Sequence, residues 1–414
     1  SIDQMKRYFF LVLSALCLPV YAQITVPDFL LSAWSEPDVR MYDEQLRYLS
    51  TRPYQLSPLR RLEFRTQNRE LDPDQQEFAL RLTPSNPWEV RNNNNFFKAY
   101  RSSTELQREM AVMNALEKRY RATVLAAYHY EMQELSRAGR RMIREQLMIL
   151  QEQTGSKFFD ADDFVDLQLD LMDRTVDEDE AGFNVSDQLR RMEAMYGKSL
   201  DSVSWRLRDL PDPVRVMVVA DSLSAIRATP VLLDYQQQKI DLAESEYKLE
   251  RSNINAGFIQ AEFDNRRREQ GRTPVNISLG ITIPVVNPNK GDMSMRKLDM
   301  IEAKYDLENA KADETLRIGG LKQRLASLVG QHIIIVNKIR DYEKGGLGNL
   351  MSIIEDGDPR ITVRFNGNIN KLKMLAARIR RDVLLAYIDY LCAIGKLQQE
   401  PLTNYLTVDL APLK

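Results

Sequence analysis

From Pro274 the chain alternates. Ile277, Leu279, Ile281 and Ile283 fall on one side of an extended segment, and Asn276, Ser278, Gly280 and Thr282 on the other. That is the period of a strand with one apolar face. Three other stretches repeat it: Leu62 and Phe64; Phe78, Leu80 and Leu82; Ile259, Ala261 and Phe263, with Glu63, Arg65, Arg81, Gln260 and Glu262 on the opposite side. The pattern predicts strands over 61–70, 77–83, 255–264 and 275–283. Pro284 closes the last of them, and beyond Pro288 and Gly291 the period lengthens to about 3.5 at Leu298, Ile301 and Tyr305, so a strand hands over to a long helix.

Elsewhere the period is helical. Ile318, Leu321, Leu325, Leu328, His332, Ile335, Ile339 and Tyr342 step alternately by three and four. Leu372, Ala376, Ile379, Val383, Ala386, Tyr390, Ala393 and Leu397 answer on a returning helix, and Tyr128, Met132, Leu135, Gly139, Met142, Gln146 and Ile149 do likewise in the first half. These are coiled-coil seams, which also accounts for His332. The predicted helices 36–50, 98–153, 231–251 and 292–343 include two of roughly 80 Å at 1.5 Å per residue, long enough to need lateral partners.

Landmarks recur at a spacing of about 195 residues, the mark of a tandem duplication. Pro37 answers Pro230, Pro84 answers Pro284, Gly155 answers Gly346, and Tyr196-Gly197-Lys198 answers Ile394-Gly395-Lys396. The fold class is therefore α+β, dominated by long α-helices, in two repeats. Residues 23–205 carry the first two strands and a helical hairpin turning near 154–160; residues 206–414 carry the other two and a hairpin turning near 344–359.

Composition narrows the setting. A chain of 414 residues with 43% hydrophobic and 28% charged residues and a net charge of -2 is neither disordered nor a bundle of membrane-spanning helices, and offers no electrostatic footprint for nucleic acid. Met5, Lys6 and Arg7, the apolar run Tyr8 to Leu18, and small residues at Val20 and Ala22 predict a signal peptide cleaved after Ala22. Export leaves Cys392 as the one cysteine of the mature chain, a small buried hydrophobe by expectation. Two histidines, no phosphate loop and no ligand cluster of recognisable spacing give no enzyme signature and imply no cofactor or metal.

A strand apolar on one side and polar on the other suits a lipid-facing wall around a wet lumen, with Phe78, Leu80, Leu82, Ile277, Leu279, Ile281 and Ile283 toward lipid. A half-buried soluble sheet shows the same alternation. In hydrocarbon a sheet must close, and four strands are too few, so several copies must pool their strands.

The strand and proline leading into Met300 to Ala312 (MIEAKYDLENAKA), the segment Tyr342 to Glu355 (YEKGGLGNLMSIIE) and the closing Ala386 to Leu397 (AYIDYLCAIGKL) resemble, in this order and spacing, the TolC-like outer-membrane factor family of Gram-negative bacteria. The resemblance implies a homotrimer whose pooled strands form an outer-membrane β-barrel continued by a periplasmic α-helical barrel. It also implies a passive exit duct for efflux or type I secretion, docked by its helical tips onto a periplasmic adaptor and an inner-membrane RND or ABC transporter. Gly357, Asp358 and Pro359 followed by Ile361 to Phe365 depart from the family by interrupting the second tip. The alternative is a secreted trimeric coiled-coil structural protein or adhesin with a soluble β head.

Asp163, Asp166, Asp170, Asp173 and Asp177 form a one-sided acidic stripe, costing roughly 0.2 to 0.5 kcal/mol per like pair unless offset. Folding the hairpin about residue 157 sets Asp170 opposite Arg144, Asp173 opposite Arg141 and Asp177 opposite Arg137. Asp163 and Asp166 meet only Gln151 and Met148, and with Glu355 they are the candidates for a cation-attracting aperture. Gly155, Ser156, Gly345, Gly346, Leu347 and Gly348 are the tip residues expected at the adaptor.

Overall fold

The computed structural model describes residues 24–68, 76–152, 154–155, 159, 161–200, 205–224, 230–254, 257–264, 267, 271–282, 289–346 and 359–413. The signal-peptide segment lies outside them, as do Ser156, Ile283, Leu347, Gly348, Glu355, Gly357 and Asp358.

A short helix, α1 (Val26–Leu31), precedes α2 (Pro37–Ser50), which leads into strands β1 (Leu59–Asn68) and β2 (Gln76–Pro84). Helix α3 (Pro87–Glu152) descends and α4 (Ala161–Tyr196) returns. After α5 (Pro213–Ser224), the second half repeats the order: α6 (Val231–Ser252), β3 (Gly257–Asp264), β4 (Val275–Ile281), α7 (Lys290–Asp341) and α8 (Pro359–Ala393). At 66 residues, α3 is about 100 Å long.

The strands form one antiparallel sheet in the order β1-β2-β3-β4. Beneath it α2 packs on α3, α3 on α6 and α6 on α7, so each strand stands on the helix it is continuous with, in the same lateral order. Lower down the order is α4, α3, α8, α7. The result is a wall one element thick with two edges unpaired among the described residues, β1 over α2 and α4 on one side and β4 over α7 on the other.

The seams hold. Each seam residue of α7 and of the first-half helix is buried or half-buried, His332 included. Midway along the wall the single layer thickens, where α1, the end of α8 and the segment 402–413 gather on α3 and α5 packs on α8 and α7. Phe29, Leu30, Val383, Leu384, Ile388 and Leu391 are buried there, each contributing roughly 1.5 to 3 kcal/mol. Within that core Arg119, 1% exposed, pairs with Glu36 at 2.8 Å and donates to the Ser32, Ala115 and Met195 carbonyls, fastening the N-terminal segment to α3. Cys392 is half-buried and its thiol donates to the Glu117 carboxylate at 3.3 Å.

Two boundaries differ from expectation. Helix α3 begins at Pro87 rather than near 98, through four consecutive asparagines of poor helix propensity. Tertiary bonds hold them: Asn92 donates to the Lys248 carbonyl at 3.0 Å and Asn93 to that of Tyr54 at 2.7 Å, while Asn86 caps the start by accepting from the Trp88 N–H. Ile361 to Phe365, expected to interrupt the second tip, are helical, because Pro359 opens α8 where its missing N–H costs nothing.

Candidate functional site

Register places the alternating apolar strand positions, all but Ala79 and Phe258, on one face. Phe64, Leu80, Ala261 and Ile277 lie side by side across all four strands, as do Leu62, Leu82, Ile259 and Leu279. They are not core. Phe64 is 67% exposed, Ile277 73%, Leu279 71% and Ile281 74%. Phe78 and Leu80 are also exposed and Leu82 is half-buried. No described helix packs on this face, and an apolar patch of this breadth on a soluble surface would be unusual.

The other face, along the intervening rows, is polar but for Ala79: Glu63, Arg81, Gln260 and Ser278 in one, Arg65, Ala79, Glu262 and Asn276 in the next. Glu63 accepts from Arg61 and Arg65, each at 2.6 Å, and is 13% exposed while the two arginines are 70% and 58% exposed. Arg81 faces Glu63 in register and lays its guanidinium 3.7 Å above the Phe258 ring. Phe258 in turn lies across Gly280, where a Cβ would come within 2.3 Å of the ring. Gly257, at φ 132°, leaves no room for a Cβ beside the Gly280 carbonyl.

At the lower end the first hairpin and α8 enclose a cleft of about 330 Å³ containing Asp163, Asp166, Asp170, Arg174, Arg364 and Lys371. Asp163, expected to have no basic mate, pairs with Arg364 at 3.3 Å. Arg364 belongs to the other hairpin, so folding α3 against α4 on paper does not find it. Asp166 is exposed at the cleft. The upper stripe pairs one position away from expectation: Arg137 and Arg140 share Glu178, and Asp177 takes Arg174 from its own helix. Asp170 is exposed on the cleft and Asp173 on the helix surface.

Gly155 adopts φ 92°, the left-handed conformation a glycine permits, in the turn after α3. Gly345 and Gly346 end a π-helical turn, Tyr342–Gly346, that follows α7. Two further contacts close this end: Tyr342 meets Phe365 edge-on at 5.5 Å, and Lys373 pairs with Glu343 at 2.9 Å. Among the described residues no helix is long and apolar enough to cross a membrane.

This wall of strands standing on long paired helices matches solved structures over nearly its whole length. The CusC structures, which describe transmembrane channel formation, superpose with a TM-score of 0.67 at 9% identity, covering 91% of this chain and 93% of that one. VceC, an outer membrane protein of Vibrio cholerae, gives 0.66 at 10% identity over 91% and 97% of the two chains. The open state of MtrE, an outer membrane channel of Neisseria gonorrhoeae, gives 0.66 at 11% over 93% and 90%.

The chain has the fold of the TolC-like outer-membrane factors.

No family model and no curated protein matches the sequence itself. Identity this low means that the outer-membrane-factor fold is carried here by the two alternating patterns, period two in the strands and three-four in the helices, rather than by individual residues. The sequence reading missed Arg364 and the Arg81–Phe258 stack. The second had a signal: Phe258 is an aromatic at a polar-face position of its strand.

Proposed function

We propose that the protein is an outer-membrane exit duct, a homotrimer whose three four-stranded walls close into one β-barrel and whose helices continue the passage through the periplasm. One observation carries this reading: a sheet with a continuous exposed apolar face, a polar opposite face and two unpaired edges. In lipid such a sheet must close, and closing it with other copies joins the β1 edge of one to the β4 edge of the next. That contact is head-to-tail and generates a ring.

The helical edges support the same contact. On α4, Val165, Leu169, Met172, Val176 and Phe183 form a heptad-spaced stripe that is more than half exposed, and α7 exposes Leu298, Tyr305, Leu316 and Ile334 on the opposite edge. Seams of this kind on solvent-facing helices are lateral packing surfaces awaiting a partner. The two repeats, 23–205 and 206–414, then each supply two strands and one hairpin to the wall. The duct is passive; energy and substrate choice come from an adaptor and an inner-membrane pump that meet the tips around Gly155 and Gly346.

Asp166 at the lower mouth, with Asp163 partly offset by Arg364 and with Glu355 from outside the described residues, would set a cation-attracting aperture. Purified protein in detergent should have a trimer's mass and conduct ions in a planar bilayer. A protein that stays folded and soluble without detergent and conducts nothing would refute the duct and favour the secreted adhesin. Replacing Asp163, Asp166 and Glu355 together by alanine should lower cation preference and block by multivalent cations; unchanged values for both would remove the aperture assignment.

A further inference from the structure

The polar face of the sheet holds a cationic cluster. Arg61, Arg65 and Arg81 surround one carboxylate, Glu63, and the cluster keeps a positive excess on a surface otherwise mixed in sign. A purely structural pairing would match one arginine to the carboxylate. Here two bind it and the third, directly across in register, turns away to stack on Phe258.

The stack is built with care for its backing. Gly280 has no side chain, and the Phe258 ring fills that space. An aromatic ring over a strand glycine is fixed in position, so the guanidinium above it is fixed as well. A guanidinium held flat on a ring presents its other face and its N–H edge to whatever approaches. The apolar side chains of these strands all point the other way, so Phe258 is the exception on this face and serves the arginine rather than lipid.

We propose that Arg81, stacked on Phe258 and flanked by Arg61 and Arg65, is a binding ledge for organic anions with a planar aromatic body, repeated once per copy around the lumen. The guanidinium plane takes the aromatic face, and the flanking arginines take the carboxylate, sulfonate or phosphate. Rings of arginine are the usual means by which pores attract anions. The ledge lies near the helical end of the strands, so an anion leaving the helical passage meets it on entering the barrel. This inference rests on the duct reading, because it needs the polar face to line a lumen, and it identifies a substrate class for that passage.

Pyranine, a planar trisulfonate, is a suitable probe. Fluorescence anisotropy with the full-length protein in detergent should show saturable binding in low salt, weakened about tenfold by Arg81→Gln, less by Phe258→Leu, and abolished near 1 M salt, where screening reaches about 3 Å. Arg267→Gln, which removes an arginine at the far end of β3, should bind as the wild type does. In planar bilayers, pyranine should block current through the wild type more strongly than through Arg81→Gln. Conduction together with equal pyranine binding by the wild type and both ledge variants would overturn the ledge and leave the duct standing. Arg81-dependent binding by a protein that conducts nothing would keep the anion site on the sheet but refute the duct, and with it the site's place in a lumen.

Discussion

Changing Ile277 to lysine tests which solvent the apolar face meets, with its neighbour as the control. Ile277 is in the central row of the sheet, 73% exposed beside Phe64, Leu80 and Ala261. Asn276 precedes it at nearly the same depth on the opposite face, facing Glu262. If the apolar face meets hydrocarbon, a lysine at the midplane costs about 2 to 4 kcal/mol, and the cost recurs in every copy. A lysine at 276 enters a wet lumen opposite a carboxylate and changes stability by less than about 1 kcal/mol, with a favourable sign. The assay is refolding from urea into phospholipid vesicles, with folded protein scored by protease resistance and electrophoretic mobility. Ile277→Lys should shift the folded-to-unfolded ratio by at least about thirtyfold, since each 1.4 kcal/mol is a factor of ten, while Asn276→Lys folds normally. Equal behaviour of the two variants would mean that both faces are wet, and the argument for a lipid-facing wall would fail.

Two other predictions concern the helical part. Arg119→Leu strands the Glu36 carboxylate and three backbone carbonyls that the guanidinium satisfies; it should cost about 3 to 5 kcal/mol and release the segment before α2 to limited proteolysis, and undiminished protection would contradict the anchoring role. Burial holds both histidines, His129 and His332, below the ordinary 6.5. Above 6.5 both states are neutral and nothing is lost; below it the unfolded chain binds protons that the folded chain refuses, so stability falls as pH drops from 6.5 toward the folded values. Around His129 the near charges are Arg381, Asp187 and Arg191, and around His332 they are Asp212 and Arg380. Glu131 and Asp389, raised by burial, work in the opposite sense at lower pH. Thermal melts at pH 7 and pH 5 should therefore differ less in His129→Gln/His332→Gln than in the wild type, and an unchanged difference would refute the linkage.

The strands and seams were legible because their signal is periodic and local. Alternation at 277, 279 and 281 locates β4 to within two residues, and three-four stepping picks out the residues that α7 and α8 bury. What was not legible depends on pairing across the chain. Helix α3 is expected only from 98; its first turns, through the asparagine run at 92–95, are held by carbonyls of residues 54 and 248. Asp163 reads as unpaired because its partner, Arg364, is about 200 residues away on a helix that the hairpin rule does not bring in. The upper charge stripe failed for a different reason: helix packing fixes which helices face each other more firmly than which long side chain reaches which neighbour, so Arg137 found Glu178 instead of Asp177.

A partition only one backbone deep has no reserve behind it. On the proposed ring, each subunit is both wall and keystone, since its two raw margins are finished only by its neighbours. A copy flawed at either margin, at Phe183 on one side or Leu316 on the other, would therefore spoil the assemblies it joins as well as itself. In a cell making sound and flawed copies together, far fewer than half of the finished conduits would be intact, and such alleles would behave as dominant.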